Sequence, residues 1–340
     1  MVRCKLGFDS HQRLQFLGRN MHVVVTGGAG FIGSHFVWML FSELPDCKVT
    51  VIDKLTYAAN KEYLKGLPEN RFDLVEMDIC SPEVMDNIHG ADLVVNFAAE
   101  SHVDNSISDS DPFIRTNING TYNLLNCLRG SQARFVQVGT DEVYGSLARG
   151  QADELFPLMP SSPYSASKAS ADLLVQSFVK THGLDAVITR STNNYGPRQH
   201  VEKLIPSALR SILLNRPVKV YDEGKNVRDW IYVTDNCRGI LTAALRGTTG
   251  AVYNIGYEQP REVNNLQLLQ LLAAEMEARG YTFPGIELAP NARPGHDFRY
   301  AVNADEIRKL HWAALTPLQQ GLKMTIDWYL EHFDEQPIAS

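Results

Sequence analysis

Two rhythms of apolar residues alternate along the first half of the chain. Short runs rich in Val, Ile and Phe, namely HVVVTG, KVTVIDK, FDLVEMDI, DLVVNFAA, FVQVGT and DAVITRS, have the length and β-branched content of buried strands. FIGSHFVWMLFSEL, NINGTYNLLNCLRG and SPYSASKASADLLVQSFVKTHG lie among them and carry the helical pattern instead. Apolar strands that recur between helices predict an α/β fold, a parallel sheet covered on both faces. On the third of these helices the side chains Leu173, Leu174 and Phe178 are assigned to the core.

Beyond Arg190 the texture changes to loops rich in Asn, Pro and Gly. Helical runs follow, KLIPSALRSILLN, NNLQLLQLLAAEMEARG and a last one near LQQGLKMTIDWYLEHF. The expected organisation is an N-terminal extension over 1–20, an α/β domain over 21–190 and a smaller, mostly helical substrate domain over 191–335. Segments within about 218–256, among them VRDWIYVTDNCRGILTAAL, are expected to return in part to the first domain.

Composition narrows the partners. A net charge of -7 with both signs interspersed provides no electrostatic footprint for nucleic acid or an anionic membrane. No apolar stretch approaches a spanning helix, and the first twenty residues lack the continuous apolar segment of a signal peptide. Cys4, Cys47, Cys80, Cys127 and Cys237 are odd in number, far apart and never in CxxC spacing, so neither a disulfide framework nor a zinc site is expected. No metal is assigned, and a reducing cytoplasm fits best.

TGGAGFIG closes the first predicted strand and opens the first predicted helix. Gly27, Gly30 and Gly33 fall every third residue, while Gly28, Gly30 and Gly33 also satisfy GxGxxG. Either spacing lets backbone approach a pyrophosphate at the positive end of a helix, where a β-carbon would hold it away. Asp53 ends the second strand, where an acid accepts from the ribose hydroxyls of an adenosine. An acid there repels a 2′-phosphate, and although Lys54 follows, no Arg does, so NAD is expected over NADP. The motif in this setting makes the sheet a Rossmann-type, doubly wound one.

Two further patterns carry chemistry. In SPYSASKAS, Tyr164 and Lys168 are four apart and share a helix face. Lowering a tyrosine from about 10 to about 7 takes roughly 4 kcal/mol. One ammonium about 4 Å away, at an effective dielectric of about 20, supplies on the order of that, and a positively charged nicotinamide would add more. In GTDEVYG, Asp141 and Glu142 sit side by side at the end of a core strand. Taken alone, the first pattern is also an aromatic ring on a lysine stem and the second a solvated turn.

Together the motifs resemble the extended short-chain dehydrogenase/reductase family over nearly the whole chain from Met21. TGGAGFIG, YxxxK and NNYGP mark that broad group. AAESHVD, TDEVYG, SPYSASKA, EKLIP, VRDWIYV and RPGHDFRY are together similar to its nucleotide-sugar 4,6-dehydratase branch, with dTDP-glucose as the implied substrate. The resemblance places Phe31, Ile32, Asp53, Lys54, Leu55 and Thr56 in the NAD site. Asp78 and Ile79 would flank the adenine, and Phe97, Ala98, Ala99, Glu100, Thr116, Tyr164, Lys168 and Asn194 would complete the site. Ser101, Thr140, Asn193, Lys203, Leu204, Lys219, Val220, Tyr221 and Asn265 would face the sugar nucleotide, as would Arg228, Arg293 and His296. The two arginines suit a diphosphate, because a guanidinium offers paired donors.

The same resemblance implies a homodimer and an internal redox elimination. Tyr164 would take the C4 hydroxyl proton as hydride leaves, Thr140 would bond the C4 oxygen, Glu142 would remove the C5 proton, and Asp141 would protonate the departing C6 hydroxyl. Like charges held close push their proton affinities apart, so adjacency helps one carboxyl stay ionised while its neighbour keeps a proton. Three positions depart from the family pattern: Gly139 stands where Ser is usual, Asn105 where Arg is usual and Val201 where Pro is usual. Other readings are a 4,6-dehydratase of UDP-glucose or GDP-mannose, a 4-epimerase, and a non-catalytic NAD-binding sensor.

Overall fold

A computed structural model describes residues 20–289, 295 and 297–333 of the chain. Residues 1–19 of the expected extension, and the expected substrate residues Arg293 and His296, lie outside the described residues. The chain begins with β1 (His22–Thr26), α1 (Phe31–Glu43), β2 (Lys48–Asp53), β3 (Phe72–Glu76) and β4 (Leu93–Asn96). It continues through β5 (Arg134–Thr140), α2 (Pro163–His182) and β6 (Ala186–Ser191). It then runs through β7 (Asn193–Tyr195), α3 (Leu204–Leu213), β8 (Val218–Val220), β9 (Val227–Arg228) and β10 (Trp230–Tyr232). Helix α4 (Val233–Arg246) and β11 (Val252–Ile255) follow.

Seven of these strands form one parallel sheet in the order β11-β6-β5-β4-β1-β2-β3. Its strands are apolar on both sides for a visible reason. Val23 and Val25 enter one core and Val24 the other, and on β4 Leu93 and Val95 oppose Val94 in the same way. The strand order reverses between β1 and β4, which opens a crevice beyond their C-terminal ends.

Helix α2 is fixed at both ends by its sequence. Ser162 and Ser165 form a capping box, Pro163 occupies the first turn, and Gly183 ends the helix in the left-handed conformation. Its buried face holds Tyr164, Ser167, Lys168, Ala171, Asp172 and Val175. Phe178 is buried and Leu174 half-buried, but Leu173 is 55% exposed, against the core assignment. The inward stripe of α2 is largely polar, so the residue opposite it faces outward although it is a leucine.

The helix expected around NINGTYNLLNCLRG begins earlier, at Asp111, with Pro112 tolerated in its first turn. From Ile114 to Gly120 it is wound as a π-helix, then continues as α-helix over Thr121–Cys127. A separate core gathers the later helices. With β12 (Val263–Asn264) came α5 (Asn265–Glu277), then β13 (Ile286–Leu288) and α6 (Leu318–Glu331). Helices α3, α5 and α6 close around Ile205, Leu209, Leu268, Leu272, Leu322 and Ile326. Among the described residues, three two-stranded sheets, β7 with β10, β8 with β13 and β9 with β12, lie outside the main sheet.

Candidate active site

A cavity beyond the C-terminal ends of the central strands is walled on one side by the glycine turn. Gly27 has φ +68, and a β-carbon there would lie 2.6 Å from the Ala98 nitrogen; at Gly33 it would lie 2.2 Å from the Gly27 carbonyl oxygen. Neither position admits a side chain. Gly28 instead abuts the Val51 side chain, so Gly27, Gly30 and Gly33 build the wall, and the every-third spacing is the operative one. Helix α1 starts at Phe31 with no side-chain cap, which leaves its N-terminal amides to the crevice.

Asp53 ties this turn to the end of β2. Its Oδ2 accepts from the Ala29 amide at 2.9 Å and its Oδ1 from the Leu55 amide at 2.9 Å. Lys54 Nζ is paired with Asp78 Oδ2 at 3.0 Å, and Arg115 Nη2 approaches the same oxygen at 3.3 Å. Phe31, Ile32, Thr56, Ile79, Thr116 and the run from Phe97 to Ser101 share the wall, as do Tyr164, Lys168 and Lys203. Two expected cofactor residues stand outside it. Leu55, with φ +54, packs on the core, and Asn194 Nδ2 donates to the Thr192 carbonyl at 3.0 Å.

The carboxylate pair follows directly from how β5 ends. Thr140 is still extended, and the chain turns into a 3-10 helix over Asp141–Tyr144. Thr140 caps that helix by accepting from the Glu142 amide at 3.2 Å, and its hydroxyl lies 3.4 Å from Asp141 Oδ1. Asp141 is buried, and its Oδ2 has no hydrogen-bond partner among the described residues. Glu142 is part-buried, with Oε2 at 3.4 Å from the Tyr300 hydroxyl, which also donates to Asp297 Oδ2 at 2.7 Å.

The two acids differ in proton affinity. Burial, then the charge of Glu142, pushes Asp141 well above the ordinary aspartate range. Burial also leaves Glu142 above the ordinary glutamate range, with Arg228 and then Lys203 opposing the rise. Lys168, buried and donating to the Val138 carbonyl at 2.7 Å, is lowered by burial to about 8. Tyr164 departs from the sequence-based electrostatics: burial, with Glu142 and Asp141, drives its phenol upward, and a hydrogen bond with Thr140 opposes them. The lysine alone therefore does not make this tyrosine a base.

Among the expected substrate residues, Lys203 Nζ donates to the Ser101 carbonyl at 3.0 Å, so these two meet at the cavity. Leu204 opens α3. Asn193, Asn194 and Asn265 each carry a buried amide oxygen without a hydrogen-bond partner among the described residues. Lys219 and Val220 lie on β8 and Tyr221 just after it, away from the cavity wall. Arg228 is buried. Its Nη1 donates to the Val227 and Phe298 carbonyls at 2.8 and 3.2 Å, its Nη2 donates to the Asp297 carbonyl at 2.8 Å, and its guanidinium lies 4.3 Å from the Tyr300 ring centre.

Residues 23–256 match the model of the NAD dependent epimerase/dehydratase family. The chain belongs to that family. A dTDP-glucose 4,6-dehydratase of Streptomyces griseus is 46% identical over 318 residues, covering 92% of this chain and 94% of the relative. The low-salt glycan biosynthesis protein Agl12 of Haloferax volcanii is 46% identical over 315 residues, covering 91% and 99%. The crystal structure of DesIV, a dTDP-glucose 4,6-dehydratase from Streptomyces venezuelae solved with NAD bound, superposes with a TM-score of 0.87 at 40% identity, covering 93% of this chain and 99% of that one.

Three groups in this epimerase/dehydratase site escaped the sequence reading. Asn117, inside the π-helix, accepts from the Glu100 amide at 2.9 Å and donates to the Glu100 carbonyl at 3.0 Å and to Ser167 Oγ at 2.8 Å, clamping the cavity wall to α2. Its signal was an Asn and a Gly inside a predicted helix, where both are poor formers. Glu202 lies against His200, Lys203 and His102 at 3.5, 3.4 and 3.9 Å. Burial raises its carboxyl, but the His200 hydrogen bond and these charges outweigh it and hold it at about 2. Tyr300 lay within RPGHDFRY, and nothing local marked it as a partner of Glu142.

Proposed function

We propose that the chain converts dTDP-glucose to dTDP-4-keto-6-deoxyglucose and water. The observation that carries this reading is the unequal pair at the end of β5, a buried Asp141 whose Oδ2 has no partner among the described residues, raised well above the aspartate range, beside a Glu142 whose smaller rise is opposed by Arg228 and Lys203. A simple dehydrogenase or 4-epimerase has no use for both an acid and a base next to its tyrosine. The reaction needs them, because the C5 hydrogen is not acidic until C4 is a ketone, after which it is α to a carbonyl.

The cavity fits NAD on its own observations. Gly27 and Gly33 leave room that any β-carbon would fill, and buried Asp53 with Lys54 already committed to Asp78 suits free ribose hydroxyls better than a 2′-phosphate. Gly27, Gly30 and Gly33 would hold the pyrophosphate, and Asp53 the adenosine ribose. When bound, NAD accepts the hydride from C4 and later returns it to C6, so no external oxidant is consumed. The chain's own part is proton handling. Tyr164 takes the C4 hydroxyl proton with Thr140 on the same oxygen, Glu142 takes the C5 proton, and Asp141 delivers a proton to the C6 hydroxyl as it leaves as water.

Tyr164 is a poor base in the protein alone, so its activation depends on the positive charge of the bound oxidised cofactor in addition to Lys168. The Streptomyces relatives supply the choice of dTDP-glucose, since both are named for that activity. Incubation with dTDP-glucose in heavy water tests the reading: the 4-keto-6-deoxy product should carry deuterium at C5. An unlabelled product removes the enolate step, and faster turnover of UDP-glucose or GDP-mannose removes the substrate assignment.

We also infer a homodimer in the cytoplasm. Ile114, Tyr122 and Leu173 are exposed apolar side chains on two packed helical segments, an area suited to a second copy. Cys47, Cys80, Cys127 and Cys237 are free thiols, as a reducing compartment keeps them. Light scattering of the purified chain should give twice the monomer mass, and a monomer would end the first inference. Fractionation of the producing cell tests the second.

A further inference from the structure

The base pair of Tyr164 and Lys168 rests on a second layer of charge that the reaction itself does not use. Asp172 lies one turn beyond Lys168 on the inward face of α2 and is fully buried. Its Oδ2 accepts from Arg190 Nε at 2.9 Å, and Arg190 is buried too. Arg190 Nη1 in turn donates to the Tyr144 hydroxyl at 2.9 Å, and Tyr144 donates to Asn254 Oδ1 at 2.8 Å. The other Asp172 oxygen, Oδ1, has no hydrogen-bond partner among the described residues. Gly139 keeps the space beside it open, since a β-carbon there would stand 3.3 Å from that oxygen.

A buried ammonium with an acceptor carbonyl still lacks a counter-charge, and desolvation then favours the neutral amine. A neutral amine does nothing for a phenolate. We propose that Asp172, gripped by Arg190, is a positioning residue for the Tyr164–Lys168 pair: it supplies the counter-charge that holds Lys168 as an ammonium beside the cofactor cavity. The inference deepens the proposed dehydratase reading and rests on it for its functional meaning. Arg190 neutralises part of the carboxylate but also fixes its position through Oδ2, and Oδ1, beside Gly139 one residue from the carbonyl that Lys168 bonds, is left without a partner among the described residues. The charge on Asp172 is among the influences that raise Lys168, opposing the downward effect of burial. The other ionisable groups facing this cluster are Tyr164 on α2, Asp141, Glu142 and Tyr144 from the turn after β5, and Arg190 from β6.

The test reads the lysine directly. In protein carrying 13C-labelled lysine, the Cε shift of Lys168, assigned as the resonance missing from Lys168→Met, should titrate near 8 in the parent. In Asp172→Asn the midpoint should fall by about one pH unit or more, because an isosteric amide keeps the packing and removes the charge. Asp172→Glu should restore it to near the parent value. If the buried Arg190 left behind prevents Asp172→Asn from folding, the double variant Asp172→Asn with Arg190→Met orphans neither charge and should show a smaller fall in the same direction, since it removes a cation as well. An unchanged midpoint in the folded variant overturns the proposal. This readout needs neither cofactor nor sugar, so its failure is distinct from a failure to turn over dTDP-glucose.

Discussion

Thr140 accepts a hydrogen bond from the amide of Glu142 at 3.2 Å, and this contact caps the turn that carries the proposed acid and base off the end of a core strand. The threonine closes the first turn of the 3-10 helix, so Asp141 and Glu142 leave the alternation of β5 instead of pointing to opposite faces. The same side chain makes the hydrogen bond that opposes the upward drift of Tyr164. Thr140→Val keeps the shape and removes both contacts. Steady-state kinetics with dTDP-glucose should show kcat falling on the order of tenfold to a hundredfold, as one or two lost hydrogen bonds imply. Thr140→Ser should retain most of the activity.

The proposed division of labour between the two acids predicts different stalled states. Glu142→Gln should oxidise C4 and stop, so bound NADH accumulates and no deuterium enters C5 from heavy water. Asp141→Asn should also accumulate NADH, yet its sugar should exchange the C5 hydrogen, because the base survives and only protonation of the leaving group is lost. Rapid-quench mass spectrometry with absorbance of the reduced cofactor distinguishes the two. Exchange in Glu142→Gln, or its absence in Asp141→Asn, would reverse the assignment.

Asp141 also makes stability depend on pH with a definite sign. Its folded-state proton affinity is raised well above the ordinary value of 3.8 by burial and by Glu142. The folded state therefore binds its proton more tightly than the unfolded chain does. The contribution is fully present below 3.8 and is lost as pH rises through the elevated folded value. Asp141→Asn removes the cost of taking up a proton on folding, so the variant should melt above the parent at neutral pH. The gap in Tm should shrink steadily as the buffer is taken down toward the ordinary aspartate range. A gap independent of pH would mean that Asp141 is stabilised by partners rather than strained by burial.

How far the sequence carried this picture depended on whether a residue's neighbours in the chain are also its neighbours in space. The strands, the glycine turn and the Tyr164–Lys168 spacing are local patterns, and they were legible because backbone geometry alone sets them. Asn117 reaches Glu100 and Ser167, and Tyr300 reaches Glu142, across separations that no periodicity encodes. Leu173 misled for the opposite reason. Apolar periodicity assumes that a helix buries its greasy face, whereas α2 buries Tyr164, Lys168 and Asp172, and its leucine is left outside. The sequence shows the charges that lower Tyr164, those of Lys168 and of a bound nicotinamide, whereas the burial that dominates it is a tertiary property.

Gly139, the departure whose cost the sequence left open, is set by two contacts. A β-carbon at this position would lie 2.7 Å from the Thr189 carbonyl oxygen on β6 and 3.3 Å from Asp172 Oδ1. The first contact requires β5 and β6 to give way, and the pair is held by register contacts from Phe135 to Thr140, so any side chain should be destabilising. The second places a new hydroxyl beside an acceptor that has no partner among the described residues. Gly139→Ala should therefore lose about 1–3 kcal/mol, the usual cost of overpacking a core. Gly139→Ser should lose less, by about 1 kcal/mol, as its hydroxyl donates to Asp172. Urea denaturation of the three proteins under identical buffer measures both differences. If serine proves no better than alanine, the bare oxygen of Asp172 already has a donor, and the glycine serves only to let the two strands approach.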